Sequence, residues 1–431
     1  LCKERVGARV QLSSGGMPVC DTLYRAPFFG KNSDRHPAEP QSLCLVPRRD
    51  KSANMSRPGG ELPIQDSGLS YLLSKPSWIW GGEMGINEAG VAIGNEAVFS
   101  RFKPDKGGVL GMDILRAALG AASTAKDAVD VICCFTEKHA QGGNGAFKGS
   151  MYYDNSYLVS DPRGAYIVET AGKRWAWRAA DSKDAISNCY CIEEDYKRLD
   201  AQTRKEIAPV NERAACSDEA DPGRKGEKES FKAHVENRFY LRFSKGEARR
   251  DLSLSLLGKA VDIQAFLGVL RSHGPFDPSK PWPRHMESLC IHSGGFPASA
   301  TTASMAVEYR GESAIVWFTG TSYPCLSLYK PVILNRGVFR PLWPAYDYAE
   351  GSASSLEYWN AQRAWISSSR AAAKSKDPAF AAARDQAQES LAMIAASALS
   401  DMEASGDEAA LAVLGQEVQA IVAGWEKDCG L

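Results

Sequence analysis

The sequence predicts an α+β chain whose antiparallel strand pairs are covered by segregated helices, and three observations lead there. Short alternating runs joined by turn residues recur along the first and middle parts of the chain. Runs with apolar residues three and four apart follow them, and residues 356 to 427 are rich in alanine with interspersed charges. Strands, helices, strands and then helices is the order of a segregated fold, whereas a doubly wound parallel sheet would alternate the two one by one.

The elements follow in order. Residues 1–16 are polar and end in glycines; Leu1 is not an initiator, Met17 is a candidate start, and residues 1–19 read as a leader or propeptide. From Cys20 to Phe29 the pattern is a strand closed by a turn over Gly30 to Asp34, with "LCLVP" at 43–47 as its partner and the Pro/Gly-rich 57–63 as a loop. "WGGEMGINEAGVAIGNEAVF" reads as a hairpin turning at Asn87 to Gly90. "MDILRAALGAA" and "TAKDAVDVICCFTEKHA" have helical spacing, and Thr124 stands where an N-cap belongs. "NSYLVSD" and "GAYIVETAGKRWAWRAA" form a second hairpin around Pro162-Arg163-Gly164.

The charged stretch 200–232 reads as a mobile excursion or lid, or as a plain solvated loop. "DIQAFLGVLRSHG" is helical again, and "TTASMAVEY" and "AIVWFTGTSY" are paired strands turning at "RGES". The alanine-rich tail then predicts helices packed on the core, with Trp359, Trp365, Ile394 and Ile421 as core residues.

Composition excludes several classes. At 431 residues, 44% hydrophobic and 24% charged, the chain has a globular composition, and its formal charge of -1 gives no reason to expect nucleic acid or an anionic membrane as partner. A small or neutral substrate fits better. Eleven cysteines, odd in number and scattered, read as reduced buried thiols; the Cys189-x-Cys191 pair lacks a second pair or a nearby histidine, so no metal is expected. No phosphate-cradling or dinucleotide-binding glycine motif and no Gly-x-Ser-x-Gly elbow is found, so no cofactor is expected either. With no secretory signal and no run near the ~20 apolar residues of a membrane span, a cytoplasmic location without membrane insertion is expected, and self-association is left open.

A lone Cys20 needs a base, because a free thiol with pKa near 8.5 is mostly protonated at neutral pH. Any of the six histidines, His36, His139, His234, His273, His285 or His292, can reach it in three dimensions. Alternatively, were Cys20 the first residue, its own α-amine, with an ordinary pKa of about 7.7 to 8.0, would take the thiol proton.

"CDTLYRAPFFGKNSDR" resembles the start of the secernin family and the related cysteine dipeptidases of the N-terminal-nucleophile (Ntn) hydrolase superfamily. The likeness continues through "GEMGINEAGVAIGNEAVF", "LGMDILRAAL", "YIVETAGKRWA", "AISN", "LRSH", "CIHSGG", "TTASM" and "FTGTSYPCLSLYKPV", in order over most of residues 18 to 335. The resemblance implies a four-layer αββα sandwich with a C-terminal helical appendage: a leader at 1–19, a catalytic domain over 20–350 and a helical extension over 351–431. It also implies that Cys20, exposed by cleavage, is nucleophile and base in one residue. Asp34 would hold the α-amine, and Asn95 and Asn188 would line the oxyanion site. Lys31, where acylase-type relatives place an arginine, and His292 become candidate substrate contacts.

Bland readings stand beside these. Asn32 and Asp34 also suit a turn, Asn95 and Asn188 suit backbone bonds at strand ends, and His292 suits a structural role equally. Thr301 and Thr302 fit exposed strand positions, and Arg25 and Glu169 either pair in the core or reach the cleft. The expected reaction is hydrolysis of short peptides; the alternatives are a non-hydrolytic secernin-like binding or regulatory protein and an acylase for a non-peptide amide.

Overall fold

The computed structural model describes residues 19–431 except 53, 59, 140, 208–228, 279–284, 295–297 and 407; the leader reading for 1–18 and most of the charged excursion lie outside the described residues. The strands, numbered along the chain, are β1 (Val19–Arg25), β2 (Phe28–Arg35), β3 (Gln41–Val46), β4 (Met55–Arg57), β5 (Gly60–Leu62), β6 (Tyr71–Pro76), β7 (Met84–Asn87), β8 (Ala92–Val98), β9 (Asp154–Asp161), β10 (Gly164–Ala171), β11 (Arg174–Ala179), β12 (Lys183–Ile186), β13 (Arg198–Leu199), β14 (Ala300–Arg310), β15 (Ser313–Phe318), β16 (Lys330–Asn335) and β17 (Val338–Pro341).

They make two large sheets, ordered β12-β1-β2-β14-β15-β16-β17 and β13-β11-β10-β9-β8-β7-β6-β3, with β4 and β5 as a small separate hairpin. Every neighbouring pair is antiparallel.

Helices cover both outer faces, giving four layers, αββα. Helices α1 (Gly111–Ala121) and α2 (Ala125–Lys138) lie on the second sheet, and Gly246–Leu257, Ile263–Leu270 and Pro378–Ala404 lie on the first. Ile114, Leu115, Leu119, Val129 and Ile132 of α1 and α2 bury their apolar stripe against Ile93, Tyr157 and Val168, as their three-and-four spacing requires. Thr124 caps α2 by accepting from the Asp127 amide at 3.1 Å. The two sheets face each other where β1 and β2 meet β8, and Gly94 of β8 makes that approach possible. A Cβ there would stand 2.8 Å from Thr22 Oγ1 and 3.0 Å from Lys31 Cδ, too close for any larger residue.

Three local expectations change. The turn after β1 falls at Ala26 and Pro27, not over Gly30 to Asp34, which instead form the middle and end of β2. Phe28 starts the return strand, and Lys31-Asn32-Ser33-Asp34, polar enough to look like a turn, is fully buried because its partners are buried too. "LCLVP" gives β3, but β3 pairs with β6 in the other sheet. Thr301 and Thr302 are buried on β14, not exposed.

The tail helix Pro378–Ala404 packs on β16, and Glu408–Cys429 packs on that helix in turn. Trp359 and Trp365 are buried, with Trp359 Nε1 donating to the Thr302 carbonyl at 3.0 Å, while Ile394 and Ile421 are half-buried against the core. Among the described residues no helix is long and apolar enough to cross a membrane.

Candidate active site

Cys20 stands at the head of β1, opposite Ser33, with Val19 opposite Asp34, so the β1–β2 register itself brings Cys20 and Asp34 together. The Asp34 amide donates to Cys20 Sγ at 3.3 Å, and the thiol in turn lies 3.8 Å from both the Asp34 carbonyl and Glu83 Oε2. Cys20 N donates to Asn188 Oδ1 at 2.8 Å. Cys20 is only 2% exposed, and Val19 is buried with Met286 and Ile291.

Asn188 is held from three sides. Its Nδ2 donates to the Ala97 carbonyl at 2.7 Å, and its Oδ1 accepts from Arg249 Nη2 at 2.5 Å as well as from Cys20 N. The sequence reading missed Arg249. It is fully buried on the helix Gly246–Leu257 and also grips Asp21, at 3.0 Å to Oδ2, and the carbonyls of Ser244 and Met286. Gly246 lets that helix approach: a Cβ there would lie 2.5 Å from the Asn188 carbonyl carbon. The buried stripe of that helix is Gly246, Arg249, Ser253 and Leu257, too polar for apolar periodicity to reveal.

Beneath the thiol lies a buried charge cluster. Lys31 Nζ donates to Glu96 Oε1 at 3.0 Å and to the Asn95 carbonyl, and lies 3.6 Å from Glu83 Oε2. Glu83 Oε1 also accepts from Arg35 Nη1 at 2.7 Å. Burial alone would lower the Lys31 pKa, but the neighbouring Cys20, Glu96 and Glu83 raise it overall, so the ammonium stays charged. Burial pushes the Cys20 thiol well above its ordinary pKa; Lys31 opposes this, and Glu96, Glu83 and Asp34 add to it. Burial and Asp21 likewise raise Asp34, against the hydrogen bond from Thr301 and the charge of Arg249. Thr301 Oγ1 donates to Asp34 Oδ1, while Asp34 Oδ2 is buried with no hydrogen-bond partner among the described residues. As the chain stands, with Val19 attached, this arrangement keeps the thiol protonated.

Of the other expected site residues, Asn95 donates its Nδ2 to Asn155 Oδ1 at 3.0 Å, and its Oδ1 is buried without a partner among the described residues. Asn32 ties β2 to the outer layer by donating to the carbonyls of Leu270 and Leu289, both at 2.8 Å. His292 lies beside His273 and Cys325, and among the described residues its ring hydrogen bonds go to these two and not to Cys20. Glu169 neither pairs with Arg25 nor reaches the site; it accepts from the amides of Cys191 and Ile192 at 2.7 and 3.0 Å.

Burial lifts the Glu169 pKa from 4.5 to about 7 against the pull of those two amides. The folded state therefore binds more protons than the unfolded one between those values, and stability falls as pH rises from about 4.5 to about 7. Melting temperatures across that range should show the decline, flattened in Glu169→Gln. Because the amide NH2 cannot accept, that variant should also lose about 1–3 kcal/mol.

The family model for acyl-coenzyme A:6-aminopenicillanic acid acyl-transferase matches residues 24–148. A mutant conjugated bile acid hydrolase from Clostridium perfringens is similar over 77% of this chain and 98% of its own, at 14% identity and a TM-score of 0.42. Penicillin V acylase from Agrobacterium tumefaciens is similar over 69% of this chain and 82% of its own, at 12% identity and a TM-score of 0.34. The family match, though partial, supports a place in the Ntn-hydrolase superfamily, in keeping with the αββα layers; it does not single out secernins.

Proposed function

We propose that the chain is a cysteine amidohydrolase of the Ntn type, acting on short peptides once the bond before Cys20 has been cut. One observation supports this most: the nitrogen and sulfur of a single residue are each held by a buried partner, Asn188 Oδ1 on N and the Asp34 amide on Sγ. A freed α-amine at that position would give Asp34 Oδ2 the donor it lacks and would supply the base that the buried thiol needs.

The amine of Cys20 takes the Sγ proton, and the sulfur attacks the substrate carbonyl, forming a C–S bond and a charged oxygen. Collapse breaks the C–N bond, and the ammonium of Cys20 gives its proton to the leaving amine. Water then hydrolyses the thioester and restores the thiol. Hydrogen-bond donors near Asn95 and Asn188 would stabilise the charged oxygen. Asn188 also fixes the nucleophile's own nitrogen, a role the sequence reading did not assign it.

A second reading, hydrolysis or transfer of a non-peptide acyl amide, is favoured by the acyl-transferase family match. Intact mass of the purified protein, followed by a panel of dipeptides, penicillin V and a conjugated bile acid, tests both. Loss of all residues before Cys20 with dipeptide turnover is the expected result. Turnover confined to the non-peptide amides overturns the dipeptide assignment. A matured protein that hydrolyses none of them points to the binding-protein alternative and rejects catalysis.

A further inference from the structure

Away from Cys20, two imidazoles and two thiols converge from three separate segments. His273 follows the helix Ile263–Leu270, Cys290 and His292 follow the short turn His285–Glu287, and Cys325 lies in the turn Pro324–Leu326. One ligand atom from each lies within 4.8 Å of all the others. His292 Nε2 is 3.2 Å from His273 Nε2 and 3.1 Å from Cys325 Sγ. A single proton on His292 Nε2 cannot bond well to both neighbours, whereas a cation between them would satisfy all three. Tetrahedral zinc with bonds of about 2.0–2.1 Å to nitrogen and about 2.3 Å to sulfur sets its ligands about 3.3–3.8 Å apart. The cluster needs only small side-chain adjustments to reach that spacing.

The surroundings are those of a built site. Cys290 and Cys325 are 0% and 6% exposed, and the His292 ring lies flat on Tyr323, 4.0 Å between centroids with 5° between planes. The Cys290 amide donates to the Ser272 carbonyl at 2.9 Å, joining the first two ligand segments.

We propose that His273, Cys290, His292 and Cys325 bind one zinc ion in a closed structural site. Four protein ligands leave no open position for substrate, so the ion's role is to hold the chain. Ile291, between two of the ligands, exchanges hydrogen bonds with Thr301: Thr301 N donates to its carbonyl at 2.9 Å and its own amide donates to Thr301 Oγ1 at 2.8 Å. The same Thr301 hydroxyl donates to Asp34. The metal would thus clamp the segment on which the carboxyl beside Cys20 rests. The sequence expectation of no metal looked for paired cysteines close together, and a His-Cys-His-Cys set spread over residues 273 to 325 does not show that pattern.

Elemental analysis of the full chain, purified without chelator and without reducing-agent exchange, is the test. About one zinc per chain is expected, falling well below stoichiometric in His273→Ala and Cys325→Ser but unchanged in Cys134→Ser. Zinc removal should lower the melting temperature. If the variants fail to fold, cobalt(II) added to metal-free wild type decides, through the visible bands of a tetrahedral thiolate complex. No zinc after purification and zinc incubation, no thiolate charge transfer with cobalt, or a Cys290–Cys325 disulfide in the unreduced protein would each overturn the proposal. All of these readouts are independent of peptidase activity.

Discussion

Cys20→Ala should keep every residue that precedes position 20 and hydrolyse nothing. The variant removes the sulfur while leaving the backbone nitrogen on Asn188, so the scaffold around it is retained. Where a nucleophile has been removed from another hydrolase, the loss was on the order of 10⁶ in kcat. Intact mass and circular dichroism on the same sample separate a folded, unprocessed protein from a misfolded one. A processed or active Cys20→Ala protein would remove Cys20 from the mechanism. Alkylation gives a companion measurement: with its pKa raised by burial, the thiol of uncleaved protein should react slowly with iodoacetamide at neutral pH, and the matured thiol faster.

Arg249→Met should be the most damaging change outside Cys20. Arg249 is fully buried and pairs with Asp21, itself 1% exposed, at 3.0 Å. Removing the guanidinium strands a carboxyl in the core, which costs about 3–5 kcal/mol when one partner of a buried pair is deleted. It also removes the 2.5 Å bond that orients Asn188 toward Cys20 N. Urea unfolding should show the stability loss, and combining the change with Asp21→Asn should restore part of it. Activity should not return with the double variant, because Asn188 Oδ1 still lacks the bond from the guanidinium that turns it toward Cys20 N. Recovery of both together would mean that Arg249 matters only as the partner of Asp21.

The fold was legible wherever one face of an element meets water or a sheet meets a helix. Helices α1 and α2, the Asn87 to Gly90 turn and the Pro162 to Gly164 turn all show the periodicity or turn chemistry that produces them. Legibility failed where polar residues are buried against each other. Lys31-Asn32-Ser33-Asp34 looked like a solvent turn because nothing local shows that Glu96, Leu270, Leu289 and Thr301 wait to receive it. The resemblance pointed to Cys20, Asp34 and Asn188, and these three do lie together. Arg249 was hidden because a buried arginine reads, in sequence, as an exposed one.

Each part of the Cys20 centre comes from a different stretch of polypeptide. Cys20 N and Asn188 are 168 positions apart, and Asp21 and Arg249 are 228 apart. Contacts this distant close late, after the chain has paid the entropy of its largest loops. A ribosome-bound or half-collapsed molecule therefore has the sulfur but not its partners. On the proposed maturation, cleavage before Cys20 would be timed by completion of the whole domain, so that a misassembled copy would keep the residues before position 20 and remain inert.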